Sequence, residues 1–419
     1  MAPGPAGQPG KDGTLLQPTE KMYENNAFLR RFTACVLACE PDGKTWQVAL
    51  DRTAFYPEGG GQPADTGILG GAAVSHTSVR EGVVWHHTDA PLTPGTQVTG
   101  EIDWNRRLDH MEQHTGEHIL SGTLHRLFGA ENVGFHIGDP AVRMDTDIPL
   151  TADQLAQAEA RANAAVRADA PVRCWYPAPA ELASLTYRSK KEIDGPVRLT
   201  DAGGADLCAC CGTHLRTTGQ VGLIKILSAQ HYKGGMRLAV ACGQRAQRAV
   251  AETWRDAEEA GVLLSAGPGR LREAVARSAE STEALHRRMA ALRQALGAAW
   301  AAGAQPGQPA AFLCPAADSD TLRRLCLAVT GRTNALCGVF SPGGRGLSYV
   351  LHLPGGEART VAQALNAAFD GRGGGRGELC QGSLATEDFD AVRRFLLEDR
   401  KSTRLNSSHS RASRMPSSA

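Results

Sequence analysis

His114 and His118 are four residues apart in a segment whose apolar residues recur at helical spacing. At that separation both imidazoles project from one helix face, which is half of a metal site. Cys210 and His214 repeat the separation far downstream, in CACCGTHLRTTG, where Gly212 favours a tight loop over a helix. Thiolate and imidazole are zinc's preferred ligands, so the two halves together predict one Zn2+ per chain on His114, His118, Cys210 and His214. Two readings compete. A cluster of Cys208, Cys210 and Cys211 wraps one tetrahedral ion poorly and leaves both histidines unexplained. A disulfide among the three thiols requires an oxidising compartment. Four protein ligands mark a closed structural site, whereas catalytic zinc keeps one position open, so spacing alone leaves the ion's purpose undecided.

A second chemistry-bearing segment is FYPEGGGQPADTG, residues 55–67. Gly60 and Gly61 permit close backbone approach to a ligand, Gln62 offers a donor and an acceptor, and Asp65 can anchor the turn. A tight β-turn without a ligand is the competing reading. No Gly-Lys-Ser/Thr follows, so this is not a phosphate-binding P-loop and an ATP-binding fold is not expected.

The elements that must carry these residues are legible in outline. From residue 23 to 103, short β-rich pieces alternate with turn signals, which predicts a small β-barrel or curled sheet. At Trp104 the period becomes helical and runs to Gly129, a helix-end glycine. A second helix is predicted from Thr151 as N-cap, with Pro171 just beyond its end. Strand-like stretches follow up to residue 243, giving an α+β core over 104–243. Residues 244–303 predict a helical connector of one or two long helices, broken near Gly267. Residues 304–400 predict a compact α/β domain, ending in GRGGGRGELCQGS and a last helix. The Pro/Gly-rich leader, 1–22, and the serine-rich basic tail, 401–419, read as disordered, the tail also as non-native to the gene.

Bulk composition is that of an ordinary globular chain. Among 419 residues, 42% are hydrophobic and 21% charged, too long a chain for one core. Lys and Arg number 45 against 44 Asp and Glu, and this near-neutrality neither favours nor excludes nucleic acid. No apolar run is long enough to span a membrane, and eleven cysteines without a secretory signal predict a cytoplasmic protein with reduced thiols.

FYPEGGGQPADTG, HTGEHILSGTLHRLFG with NVGFHIG, and CCGTHLRTTGQVGLIKI together resemble the AlaX-type alanyl-tRNA editing proteins, free-standing relatives of the alanyl-tRNA synthetase editing domain. The resemblance runs in order from Phe55 to Gly243. GRGGGRGELCQGS resembles the DHH-associated domain that ends the synthetases and the long AlaX forms. The fold it implies is α+β: an N-terminal β-barrel, an editing core shared with threonyl- and alanyl-tRNA synthetases, a helical connector and a C-terminal DHH-associated domain. The family's zinc ligands fall on His114, His118, Cys210 and His214. Cys211 stands where synthetases commonly carry a glycine and is not expected to bind the ion. The activity implied is deacylation of mischarged tRNA(Ala), chiefly Ser-tRNA(Ala), with Gly-tRNA(Ala) a further candidate. The competing function is a non-catalytic tRNA-binding protein with a structural zinc.

Gly60, Gly61 and Gln62 would then form the loop holding the aminoacyl-adenosine end. Thr53 is a weaker candidate for reading the serine hydroxyl. Arg372 and Arg376 are candidate RNA contacts, because glycines between them let the backbone approach phosphate. Lys190, Lys191, Lys233 and Arg237 read better as solvated surface than as phosphate contacts, and His125, His136 and Cys174 as packed or solvated residues than as ligands. No membrane partner is expected, and the C-terminal domain implies tRNA engagement or homo-oligomer formation.

Overall fold

The computed structural model describes residues 16–189, 195–344 and 346–398. The leader up to residue 15, Lys190, Lys191 and the tail 401–419 lie outside the described residues. The chain is mixed α+β and divides into two compact units, residues 1–259 and 260–419.

In the first unit, strands Arg31–Asp42, Thr45–Leu50, Gly67–Leu69, Ala72–Arg80, Val83–Thr88 and Gln97–Ile102 form a closed barrel. Phe32, Ala34 and Val36 alternate along the first strand and enter a core shared with Val48, Leu50, Phe55, Leu69, Val74 and Ile102. The glycine loop leaves this barrel and returns to it at Gly67. It is fastened from outside by Arg107, which is fully buried. The Arg107 Nε lies 3.0 Å from both carboxylate oxygens of Asp65, and its terminal nitrogens donate to the carbonyls of Ala27 and Ala54 at 2.7 and 2.6 Å. Asp65 also accepts the Tyr56 N–H at 2.6 Å, so it does anchor the turn.

Arg107 belongs to helix Trp104–Phe128, which Asp103 caps through the Arg106 N–H and Gly129 ends in the left-handed conformation. Every residue from His110 to Leu124 is buried, so the helix is the axis of the unit, with no solvent face along that stretch. Its apolar residues join a core with helix Ala152–Arg167 and a four-stranded sheet. The sheet order is Ile224–Tyr232, Gly235–Cys242, Val142–Thr146, Asn132–Ile137. Thr151 caps the second helix in a reciprocal capping box with Gln154. A smaller sheet of Val172–Trp175, Leu199–Ala202 and Leu207–Ala209 delivers the chain to Cys210.

The connector read as 244–303 forms two helices, Gly243–Leu263 and Leu271–Gly303, parted around Gly267. The second unit holds a five-stranded sheet ordered Ala310–Leu313, Cys337–Gly343, Gly346–His352, Leu379–Leu384, Arg372–Arg376, with helices Ser319–Thr333 and Ala358–Ala368. GRGGGRGELCQGS becomes a hairpin whose first strand is an exposed sheet edge. Among the described residues, no helix is long and apolar enough to cross a membrane.

Candidate metal centre

His114 and His118 stand one turn apart on the buried helix, their rings stacked with centroids 5.2 Å apart. Cys210 follows strand Leu207–Ala209, and the chain then turns to bring His214 back. Gly212 makes that turn possible, since a side chain there would overlap the His114 ring. The four donor atoms all lie within 4.8 Å of one another. Cys210 Sγ is 3.4 Å from Nε2 of both His114 and His214. His118 Nε2 is buried and has no hydrogen-bond partner among the described residues. A buried polar atom left this way has to be explained, and a shared ion would explain it.

The opposite nitrogen of each ring is held. His114 Nδ1 lies 2.9 Å from Gln62 Oε1, His118 Nδ1 lies 2.9 Å from Asp206 Oδ2, and His214 Nδ1 lies 3.4 Å from Thr115 Oγ1. Such partners orient an imidazole and leave Nε2 for a metal. Gln62 Oε1 also accepts the Thr213 N–H, while Gln62 Nε2 donates to Thr213 Oγ1 at 2.8 Å. One residue of the glycine loop thus ties the helix that carries His114 to the loop that carries His214. Arg188 grips Asp206 through Nε and Nη2 at 2.8 and 2.9 Å, and Ser121 through Nη2 at 2.6 Å.

Electrostatics suit a cation. Burial opposes ionisation of the Cys210 thiol, yet the neighbouring His114 and His214 rings outweigh it and hold the thiol well below its usual range. Burial takes His214 down to about 3, so it is neutral and ligand-competent at pH 7. Burial also acts downward on His118, but the Asp206 carboxylate on Nδ1 and the neighbouring Cys208 and Cys210 sulfurs prevail and raise it well above the usual value, so a bound cation would take the place of its Nε2 proton. Three imidazoles and a thiolate, preassembled and largely dry, form a donor set that fits zinc.

The glycine loop serves this centre from behind. Gly61 has φ +84°, and a Cβ there would stand 2.5 Å from the Phe135 carbonyl oxygen and 2.7 Å from its ring. The loop is therefore pressed onto strand Asn132–Ile137, where the Ile137 N–H donates to the Gly61 carbonyl at 2.8 Å. Phe135 in turn stacks on His114 at 5.0 Å. Gln62, expected in the substrate loop, is completely buried with its carbonyl toward His114. Gly60 has open space around it. Thr53 is buried in the barrel, its hydroxyl 2.8 Å from His86 Nε2 and accepting the Phe55 N–H, so it is engaged away from the centre.

Cys208 is buried beside His118 and Asp206, and Cys211 is exposed. His125 pairs with Glu131, Cys174 faces Thr200, and Arg237 is held by Asp145 and the Tyr232 ring. Arg372 and Arg376 are exposed in the second unit. Asp206, Thr115, Thr213 and Arg188 also support the centre and are not marked by the motif spacing. They lie on no common period with the ligands; only Thr115, beside His114, and Thr213, beside His214, were near enough to notice.

Residues 25–106 match the class II (A) tRNA synthetase family, and residues 197–238 match the threonyl and alanyl tRNA synthetase second additional domain, which includes Cys210 and His214. Alanine–tRNA ligase of Pyrobaculum neutrophilum is 34% identical over 395 residues, covering 89% of this chain and 43% of the ligase. Alanyl-tRNA editing protein Aarsd1-B of Xenopus laevis is 34% identical over 248 residues, covering 58% of this chain and 60% of that protein. The chain is a homologue of the alanyl-tRNA editing proteins and of alanine–tRNA ligase. It spans about half the length of these curated relatives. The C-Ala domain of Aquifex aeolicus alanyl-tRNA synthetase aligns with 23% of this chain and 93% of that domain, at 21% identity and a TM-score of 0.21.

Proposed function

We propose that this editing-protein homologue is a zinc-dependent aminoacyl-tRNA deacylase acting in trans on mischarged tRNA(Ala), chiefly Ser-tRNA(Ala), with Gly-tRNA(Ala) a second substrate. The observation that carries the reading is the convergence of His114, His118, Cys210 and His214 within 4.8 Å in a chain homologous to alanyl-tRNA editing proteins. These four residues would hold the ion. Bound there, zinc supplies Lewis acidity toward the ester or an attacking water.

The chain's own residues supply the rest. Gln62, Asp206 and Thr115 fix the three rings, so the donors need little reorganisation during turnover. Burial of the centre excludes bulk water, which strengthens each electrostatic contact made inside it. Cys210 is the least buried of the four and has exposed Cys211 beside it, so on this reading the ester would approach from this side. A pocket that hydrogen-bonds the serine hydroxyl would reject alanine strongly, because a buried polar group would be left unpaired.

Incubation of the purified chain with Ser-tRNA(Ala) tests the proposal. Ester loss above the buffer rate, abolished by Cys210→Ala with the fold retained, supports the enzyme. Binding of tRNA without ester loss supports the alternative, a non-catalytic tRNA-binding protein with structural zinc. Residues 304–400 are proposed as a DHH-associated domain that aids tRNA engagement, through Arg372 and Arg376, or homo-oligomer formation. Deleting residues from Gly303 onward should then weaken tRNA binding or dissolve an oligomer, and leave zinc content unchanged.

A further inference from the structure

His110 lies one helical turn ahead of His114 and lines a cleft of 670 Å³. The cleft is walled by Pro63 at the end of the glycine loop, the first turns of the buried helix, the Gly138–Pro140 turn, and the first turns of helix Gly243–Leu263. Two features of its lining bear on a ligand. His110 is 2% exposed, and its Nδ1 is buried without a hydrogen-bond partner among the described residues. Leaving such an atom unsatisfied is costly, so native proteins rarely do so. Burial, seconded by the Arg106 charge, lowers its pKa to about 4, so the ring is neutral at pH 7 and can take or give a hydrogen bond.

The second feature is a division among the lining arginines. Arg245 is fully engaged, held by both oxygens of Asp109 at 2.7 and 2.6 Å and by the Gly138 carbonyl. That pair also neutralises Asp109. Arg106 uses only its Nε, on the Ala64 carbonyl at 3.0 Å, and Arg248 has no ion pair among the described residues. Two guanidinium groups therefore have no ion pair among the described residues, and the two other acids of the lining, Asp139 and Glu252, have none there either. Pro63, Pro140 and half-exposed Leu227 add apolar wall.

We propose that this cleft binds one nucleotide unit of an RNA strand, its phosphate on Arg106 and Arg248, its sugar or base edge on His110, and its apolar face on the proline wall. A guanidinium fork matches phosphate geometry, and a neutral imidazole suits a hydroxyl or a base edge. Inorganic phosphate shares the first chemistry but has no use for the apolar wall or for His110. The assignment rests on RNA being the partner, as proposed above.

The test uses the full chain and a fluorescein-labelled RNA hairpin with a single-stranded 3′ end. Anisotropy is followed from roughly 50 to 200 mM salt, where phosphate contacts dominate the salt dependence. Arg106→Ala and Arg248→Ala should each weaken binding about tenfold and reduce the slope of log K against log salt by about 1. His110→Phe should weaken binding without changing the slope. Zinc content and melting temperature confirm that each variant is folded. Wild-type affinity and slope in both arginine variants would overturn the cleft. So would phosphate protecting the two arginines while RNA binding ignores them, which would mark a free-anion site. If the wild-type chain itself fails to bind the hairpin, the proposed function falls too; if only the variants are without effect, the cleft falls alone.

Discussion

Gln62 Oε1 lies 2.9 Å from His114 Nδ1, across 52 positions of sequence, and both residues are buried. The amide acts on the ring from behind, so its loss should be felt as metal affinity before it is felt as fold. Gln62→Ala is expected to lower zinc affinity roughly 10–100-fold, the range for partners that orient a ligand histidine. Chelator competition measures this, with circular dichroism as the fold control. Unchanged affinity would show that His114 needs no support from the barrel.

The two glycines before Gln62 should behave differently. Gly61→Ala meets both a positive φ and the Phe135 carbonyl, and is expected to cost about 1–3 kcal/mol in urea unfolding while weakening zinc binding. Gly60→Ala meets only the φ of +58°, with open space around it, and should cost about 1 kcal/mol and leave zinc binding unchanged. Equal losses would contradict the loop's role as a brace.

Arg107 and Asp65 form a buried pair under the glycine loop. Arg107→Met strands the Asp65 carboxylate and should destabilise by about 3–5 kcal/mol. The double variant Arg107→Met with Asp65→Leu removes both charges and should recover part of that loss. If the double variant is less stable than the single one, the pair is more than charge compensation.

Asp206 gives a pH signature in metal-free protein. Its burial acts upward, but hydrogen bonds from His118 and Arg188 prevail and lower it from 3.8 to about 2. A carboxylate with a depressed folded pKa stabilises above its unfolded pKa and loses that stability as pH falls through the folded value. The contribution is about 2 kcal/mol at neutral pH and roughly half of it is gone by pH 3. The melting gap between wild type and Asp206→Asn should therefore narrow from pH 6 to pH 3. A gap that holds constant across that range would sink the assignment.

Much of this was legible in the chain itself, for identifiable physical reasons. His114 and His118 share a face because helical period is local, and Gly129 and Thr151 mark helix ends through local hydrogen bonding. The loop character of Cys210–His214 followed from Gly212. What could not be read was direction. Nothing local says that Gln62 turns inward, because His114 and Thr213, which hold its amide, are far away in sequence. Asp206 and Arg188 act through contacts of the same long-range kind, with His118 88 positions from Asp206. Thr53 looked available because its partner, His86, is brought to it only by barrel closure.

The 96 positions between His114 and Cys210 have a consequence for the order of events at the ribosome. A nascent chain that has exposed the barrel and the long buried helix presents two imidazoles and no thiolate of the centre. Capture of the proposed ion would have to wait until the segment through His214 has emerged and folded back. Until then the buried polar face of that helix, His110 to His118, has no partner segment to close over it.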